Sequence, residues 1–179
     1  MKKPFSVFLL LCCAFAVQHA NAQQFEPKWG GTAYALEIID ADTVVIPLEK
    51  VNSQIKKTNG FVEKVLCTIQ GPKSTTHLSP NKPIILLVKW KDNETDPFSF
   101  IQVIKFDSKK KERSTELAKK GLSKIIENIM QLIPFEAESY GKSSYILTLP
   151  PLAGEYGVRI LNPDALDEKA PVFHCFGVY

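Results

Sequence analysis

The chain has 179 residues, 45% of them hydrophobic, with 22 Lys and Arg against 19 Asp and Glu and a formal charge of +3. That length suits one domain with a proper core. Charges this nearly balanced exclude an electrostatic footprint for nucleic acid or another polyanion.

Residues 1–22 read as a secretory signal peptide. Lys2 and Lys3 form a basic start, Phe5 to Val17 an apolar run, and Ala20-Asn21-Ala22 the small residues that a signal peptidase accepts. The run falls short of the roughly 20 residues that cross a hydrocarbon core. Cys12 and Cys13 follow Leu11 and Cys12, not the small residue of a lipid-modified site, and count as apolar members of the run. Cleavage before Gln23 implies an exported protein of the periplasm or cell surface. It removes 22 of 179 residues, both lysines of the start and two of the four cysteines, so the remaining charge is about +1. No later segment is apolar for long enough to cross a membrane.

Residues 23–179 are expected to form one domain with an N-terminal elaboration. In chain order, strands are expected at Thr32 to Ile39, Thr43 to Leu48, Phe61 to Ile69, Ile84 to Trp90, Phe98 to Phe106, Ile133 to Glu138, Ser143 to Leu149, Glu155 to Leu161 and Val172 to Val178. Turn formers separate them, among them Asn59-Gly60, Gly71-Pro72, Ser79-Pro80-Asn81, Tyr140-Gly141 and Asn162-Pro163-Asp164. In the third run, Phe61, Val65, Cys67 and Ile69 share one face and Lys64, Thr68 and Gln70 the other, as a half-buried strand requires. Phe98 to Phe106 loads both faces, the pattern of a strand covered on both sides. Between Glu116 and Ile133, apolar residues recur near helical spacing, and a helix capping one end is expected over Leu122 to Gln131, with Pro134 blocking its continuation. The fold class is therefore all-β, an antiparallel β-sandwich with one short helix.

Leu152-Ala153-Gly154-Glu155-Tyr156-Gly157-Val158 resembles the tyrosine corner of immunoglobulin-like sandwiches, with Leu152, Gly154 and Tyr156 in the motif's places. The resemblance implies a Tyr156 hydroxyl bonded back to the backbone. Val158 stands where antibody-type domains carry a cysteine, so the likeness is to immunoglobulin-like or fibronectin-like sandwiches without that bridge. The Ala-to-Gln processing site, the Gly141-Lys142-Ser143-Ser144-Tyr145 run and the final Phe-Gly-Val strand are similar to small secreted Bacteroidetes-type proteins of unknown function. This implies a periplasmic or surface sandwich and no known activity.

Chemistry-bearing groups are few. Cys67 and Cys175 can bridge in an oxidising compartment, closing a long loop worth roughly 4 to 5 kcal/mol, or stay as buried thiols. His174 adjoins Cys175, yet neighbours on a strand point to opposite faces. His77 and His174 without HExxH, CxxC or a Cys/His cluster give no metal site, and the absence of GxSxG and SxxK leaves Ser143-Ser144 as strand surface. Asp92 to Asp96 gathers three carboxylates without the Gly and distal Glu of a calcium loop and reads as a solvated hairpin. Asn93-Glu94-Thr95 and Asp42-Thr43-Val44 match short glycosylation signals. Lys109-Lys110-Lys111-Glu112-Arg113 reads as a solvated loop tip. Among Trp29, Trp90, Tyr140 and Tyr145, only Trp29, beside Gly30-Gly31, is expected to be exposed as a sugar-stacking surface. The expectation is a non-catalytic envelope module without cofactor, binding an envelope protein or a glycan; the alternatives are a carbohydrate-binding protein using exposed aromatics and a hydrolase with a non-motif site.

Overall fold

The structure, a computed structural model, describes residues 25–40, 42–60, 62–120, 125–127, 129–162 and 170–179; the signal peptide expected at 1–22 lies outside them. In chain order the strands are β1 (Thr32–Ile39), β2 (Asp42–Pro47), β3 (Glu49–Asn52), β4 (Gln54–Thr58), β5 (Glu63–Gln70), β6 (His77–Leu78), β7 (Ile84–Lys89), β8 (Ile101–Ser108), β9 (Glu112–Lys120), β10 (Ile125–Glu127), β11 (Glu136–Tyr140), β12 (Ser144–Leu149), β13 (Gly154–Ile160) and β14 (Val172–Val178). They form two sheets. The smaller runs β11-β12-β7-β1-β2, and the larger runs β3-β14-β13-β8-β9-β5-β4, with β10 beside β9 and β6 beside β14. All pairings are antiparallel except that of β6 with β14.

The larger sheet closes on itself. β3 and β4 stand at opposite ends of its order, yet Ser53 alone separates them in sequence, so the sheet curls until its ends meet. Ser53 is buried, and its N–H and hydroxyl both donate to the Pro171 carbonyl, at 3.1 and 2.6 Å.

Curling gives β8, β13 and β14 two buried faces. Ile101 and Val103 of β8, Tyr156 and Val158 of β13 and Phe176 and Val178 of β14 pack against Ala33, Ala35, Leu86, Val88 and Leu147 of the smaller sheet. The alternate residues, Ile104, Phe106, Phe173 and Cys175, turn into the curl and meet Cys67 and Ile69. The doubly apolar pattern of Ile101 to Phe106 thus reflects two cores, one between the sheets and one inside the larger sheet. Gly157 serves the inner core: a Cβ there would sit 2.8 Å from a Phe106 ring carbon and 3.2 Å from Phe173.

The inner core has a charged end. Arg113 of β9 is fully buried, its Nη1 and Nη2 each 3.1 Å from Glu49 Oε2 on β3, and its Nη1 3.2 Å from Glu155 Oε2 on β13. The Ser74 N–H donates to Glu155 at 2.8 Å, the Thr75 N–H to Glu49 at 3.3 Å, and the Tyr179 hydroxyl to Glu155. A Cβ at Gly177 would come within 2.9 Å of the Glu155 carboxylate, so glycine gives the acid its room.

The helix expected over Leu122 to Gln131 is not formed. Ile125–Glu127 is strand β10, paired with Lys120, Lys119 and Ala118 of β9, and residues 121–124 and 128 lie outside the described ones. Farther on, the Lys105 N–H bonds the Gln131 carbonyl at 2.9 Å and the Ile133 N–H bonds the Val103 carbonyl at 2.8 Å. Two physical reasons favour extended backbone here. Ile125, Ile126 and Ile129 are β-branched, and a helix would leave the β8 backbone beyond β9 without partners. The helical element among the described residues is a 3-10 turn at Pro97–Ser99, which takes Phe98 out of the strand expected to start there.

Replacing Arg113 by Met leaves the buried Glu155 carboxylate, and beside it the partly exposed Glu49, without their cation, and is expected to cost about 3 to 5 kcal/mol in urea unfolding. Gly157→Ala should cost about 1 to 3 kcal/mol by overpacking. An unchanged midpoint for the second variant would mean that Phe106 and Phe173 shift freely, against the tight inner core described here.

Candidate functional site

The segment that completes β8 also shapes an open apolar groove. Asp96 begins the 3-10 turn, its Oδ1 accepting the Phe98 N–H at 3.1 Å, and Pro97 takes the first position, where a missing N–H costs nothing. The turn throws Phe98 outward. Phe98 is 60% exposed and stacks on Phe135, ring centroids 5.0 Å apart and planes 16° from parallel. Beside the pair lies a groove of about 390 Å³ lined by Ile101, Gln102, Val103, Leu132 and Ile133. A second, of about 410 Å³, continues past Pro134 and Phe135 to Pro83 and Pro150. Gln102 Oε1 is buried without a hydrogen-bond partner. A stacked aromatic surface beside an apolar groove suits a ligand with one flat apolar face.

The groove's aromatic pair differs from the residues singled out in the sequence. Trp29 is 69% exposed as expected, with Lys28 Nζ 4.9 Å from its ring centroid. Trp90, however, stacks on Phe100 at 4.4 Å in the core, and Tyr145 is buried with its hydroxyl on the Thr95 carbonyl at 2.5 Å. Trp29, Trp90 and Tyr145 therefore form no shared exposed platform. Asp96-Pro97 ahead of Phe98 was the available signal for a turn that exposes the ring.

The corner residues fall at the start of β13. The Tyr156 hydroxyl donates to the Ala153 carbonyl at 3.2 Å, and Gly154 has φ +142°, where a Cβ would sit 3.1 Å from Lys105. Leu152 is 46% exposed.

Cys67 and Cys175 are free, fully buried thiols of the inner core. Burial pushes the Cys67 thiol up and the Cys175 thiol up to about 12, so neither is a thiolate at neutral pH. His174 is buried, neither ring nitrogen has a partner, and burial and then the Lys50 charge lower it to about 4. His77 packs on Tyr179, ring centroids 5.6 Å apart. Among the described residues no three His, Cys, Asp or Glu side chains group to hold a metal ion.

The Asp92 to Asp96 loop spends two of its three carboxylates, Asp92 and Asp96, on its own turn. Asp92 Oδ1 accepts from the Thr95 hydroxyl and the N–H groups of Thr95 and Glu94, and the Thr95 hydroxyl first among these holds the Asp92 carboxyl below its usual range. The basic run divides: Lys109, Lys110 and Lys111 are exposed, Glu112 pairs with Lys56, and Arg113 is buried as above.

Ser143 and Ser144 belong to an anion-receiving turn that sequence reasoning missed. Gly141 has φ +60°, and the N–H groups of Lys142 and Ser143 and the Ser144 hydroxyl converge on Glu26 Oε1 at 3.2, 2.8 and 2.9 Å. Lys89 Nζ adds a contact at 2.9 Å. Burial alone would push the Glu26 carboxyl up; the Lys89 ammonium, followed by Ser143 and Ser144, draws it down to about 2. This arrangement is a latch, holding the N-terminal segment to the β11–β12 hairpin.

The two largest shifts in the acid range, at His174 and Glu26, make stability depend on acid. Between pH 6.5 and about 4 the unfolded chain binds a proton at His174 that the native state refuses, so stability is complete above pH 6.5 and falls by about 3 kcal/mol toward pH 4. The Glu26 latch contributes above its unfolded value of 4.5 and is lost as pH falls to about 2. Chemical unfolding followed into acid should show both declines, the first absent in His174→Phe and the second in Glu26→Gln. Persistence of the first decline in His174→Phe would assign it to another group.

No protein-family model matches the chain, and neither does any curated protein or solved structure.

Proposed function

We propose that the protein is an exported, non-catalytic module of the cell envelope that binds a partner protein or glycan. It is an immunoglobulin-like sandwich of the kind carried by small secreted Bacteroidetes-type proteins. The observation that carries this reading is the exposed Phe98–Phe135 stack beside the apolar groove at Ile101, Val103 and Leu132. Polar groups elsewhere support it, because they are spent on holding strands together: Arg113 with Glu49 and Glu155, and Glu26 with Lys89.

A second reading, carbohydrate binding through exposed aromatics, is favoured by Phe98 and by Trp29. The mature chain, applied to a glycan array and to solubilised envelope proteins, is expected to bind one class. Phe98→Ser should weaken that binding about tenfold or more while leaving the fold intact, since the ring is mostly exposed. If Trp29→Ala abolishes binding instead, the site lies at the N-terminal segment. Turnover of a peptide, ester or glycan, lost on substitution of a polar residue, would end the binding-module reading.

A further inference from the structure

We propose that the protein pairs with a second copy of itself through the outer edge of β2, forming an antiparallel two-fold dimer. A sheet edge offers unpaired N–H and C=O groups to any passing strand, and folded proteins normally block it. Several other edges are guarded. The larger sheet joins its ends through Ser53. At one end of the smaller sheet, β11 carries the exposed Glu136 and Glu138, and its Ser139 hydroxyl is bonded to the Asn93 carbonyl at 3.2 Å. Where β1 runs on past its last partner in β7, Lys82 Nζ reaches across to the Ile38 carbonyl at 3.3 Å.

On β2 such devices stand only at the two ends, Asp42 and Pro47, and leave Thr43 to Ile46 between them unguarded among the described residues. Its sequence is Asp-Thr-Val-Val-Ile-Pro, with Asp42, Thr43 and Val44 exposed and no lysine, bulge or covering loop. Its one outward partner is at the far end, where the Pro47 carbonyl accepts the Thr76 hydroxyl at 3.1 Å. Val44 is 39% exposed, and Ile38 and Ile39 of the neighbouring strand are 57% and 48% exposed, so the edge also carries apolar surface.

The strand is complementary to itself. Ile39 and Asp42 face each other across the turn, and as a hydrogen-bonded pair they leave Thr43 and Val45 to present N–H and C=O outward. An antiparallel copy with the axis at Val44 sets Thr43 opposite the partner's Val45 and Asp42 opposite the partner's Ile46. Both backbone bonds are then exchanged at each Thr43–Val45 pair, and no two carboxylates meet. This isologous arrangement is the commonest for soluble oligomers.

The test uses the mature full-length chain in sedimentation equilibrium, with circular dichroism to check folding. A concentration-dependent dimer is expected for the native sequence, and a monomer for Val44→Lys, in which two ammonium groups would face across the axis. Thr43→Lys, at an exposed position, takes its place should Val44→Lys unfold. Val44→Cys should oxidise to a covalent dimer, because directly opposed residues of a non-hydrogen-bonded pair lie about 4.5 Å apart, within disulfide reach. Glu138→Cys on the guarded edge should not. A native chain that is monomeric at every attainable concentration overturns the proposal. So does a dimer that survives the lysine substitutions, or equal cross-linking at Glu138.

Discussion

The ion pair that holds the larger sheet closed is the contact on which most of the fold leans. Arg113 brings a fixed charge where water does not reach, and Glu49 and Glu155 answer it from strands 64 and 42 residues away in sequence. A guanidinium in that position is tolerable only when its partners are present with good geometry. The demand therefore falls on three strands at once: β3 must swing across the open side of the curl, β13 must point an acid inward, and β9 must pair in register. Residues 71–76 and the C-terminal tyrosine complete the arrangement: the Tyr179 hydroxyl donates to Glu155 Oε1, which Arg113 leaves free, and the Ser74 N–H adds a second donor to Oε2. Closure of the sheet and burial of the charge are one event.

The same constraint explains which elements were legible in the sequence. β1, β7, β12, β13 and β14 bury aliphatic and aromatic side chains, and the runs read from alternation match them to within a residue or two. β9 buries Arg113, Ser114 and Thr115, a polar triplet that hydrophobic patterning takes for a loop. β3 and β4 carry Lys50, Lys56 and Lys57, and what they bury is Ser53 between them. The apolar stripe from Leu117 to Met130 satisfies helical spacing by coincidence, because its members belong to different pieces of extended chain: Leu117 and Met130 pack on the inner core while Ile125 points to solvent. Periodicity measures repetition along a chain, and a stripe shared between strands carries the same number of apolar residues.

The functional surface was less legible for a related reason. An exposed aromatic and a core aromatic have the same composition and differ only in the backbone beneath them. Phe98 and Phe100 are two residues apart, yet Phe98 lies 60% exposed in a 3-10 turn and Phe100 is buried between Trp90 and Tyr145. Trp29 was readable because it precedes two glycines in a segment with no apolar neighbours. The Glu26 latch was unreadable, since its partners are backbone N–H groups 116 and 117 residues downstream.

The two sheets treat their polar edges in opposite ways, and this sets what the molecule can do. The larger sheet spends its backbone on itself, and its most buried polar contacts face inward, which leaves its outer face for the smaller sheet to cover. The smaller sheet cannot close, because β1 and β7 are fixed by their packing on the first core and its two ends lie on opposite sides. One end is acidic and partly bonded to the 92–96 loop; the other is a β-branched strand with alternate backbone groups facing out. An open sheet laid over a closed one thus leaves pairing capacity on β2, away from the aromatic groove at Phe98. Contact through the strand edge and contact through the groove draw on different residues, so a substitution that removes one leaves the other intact.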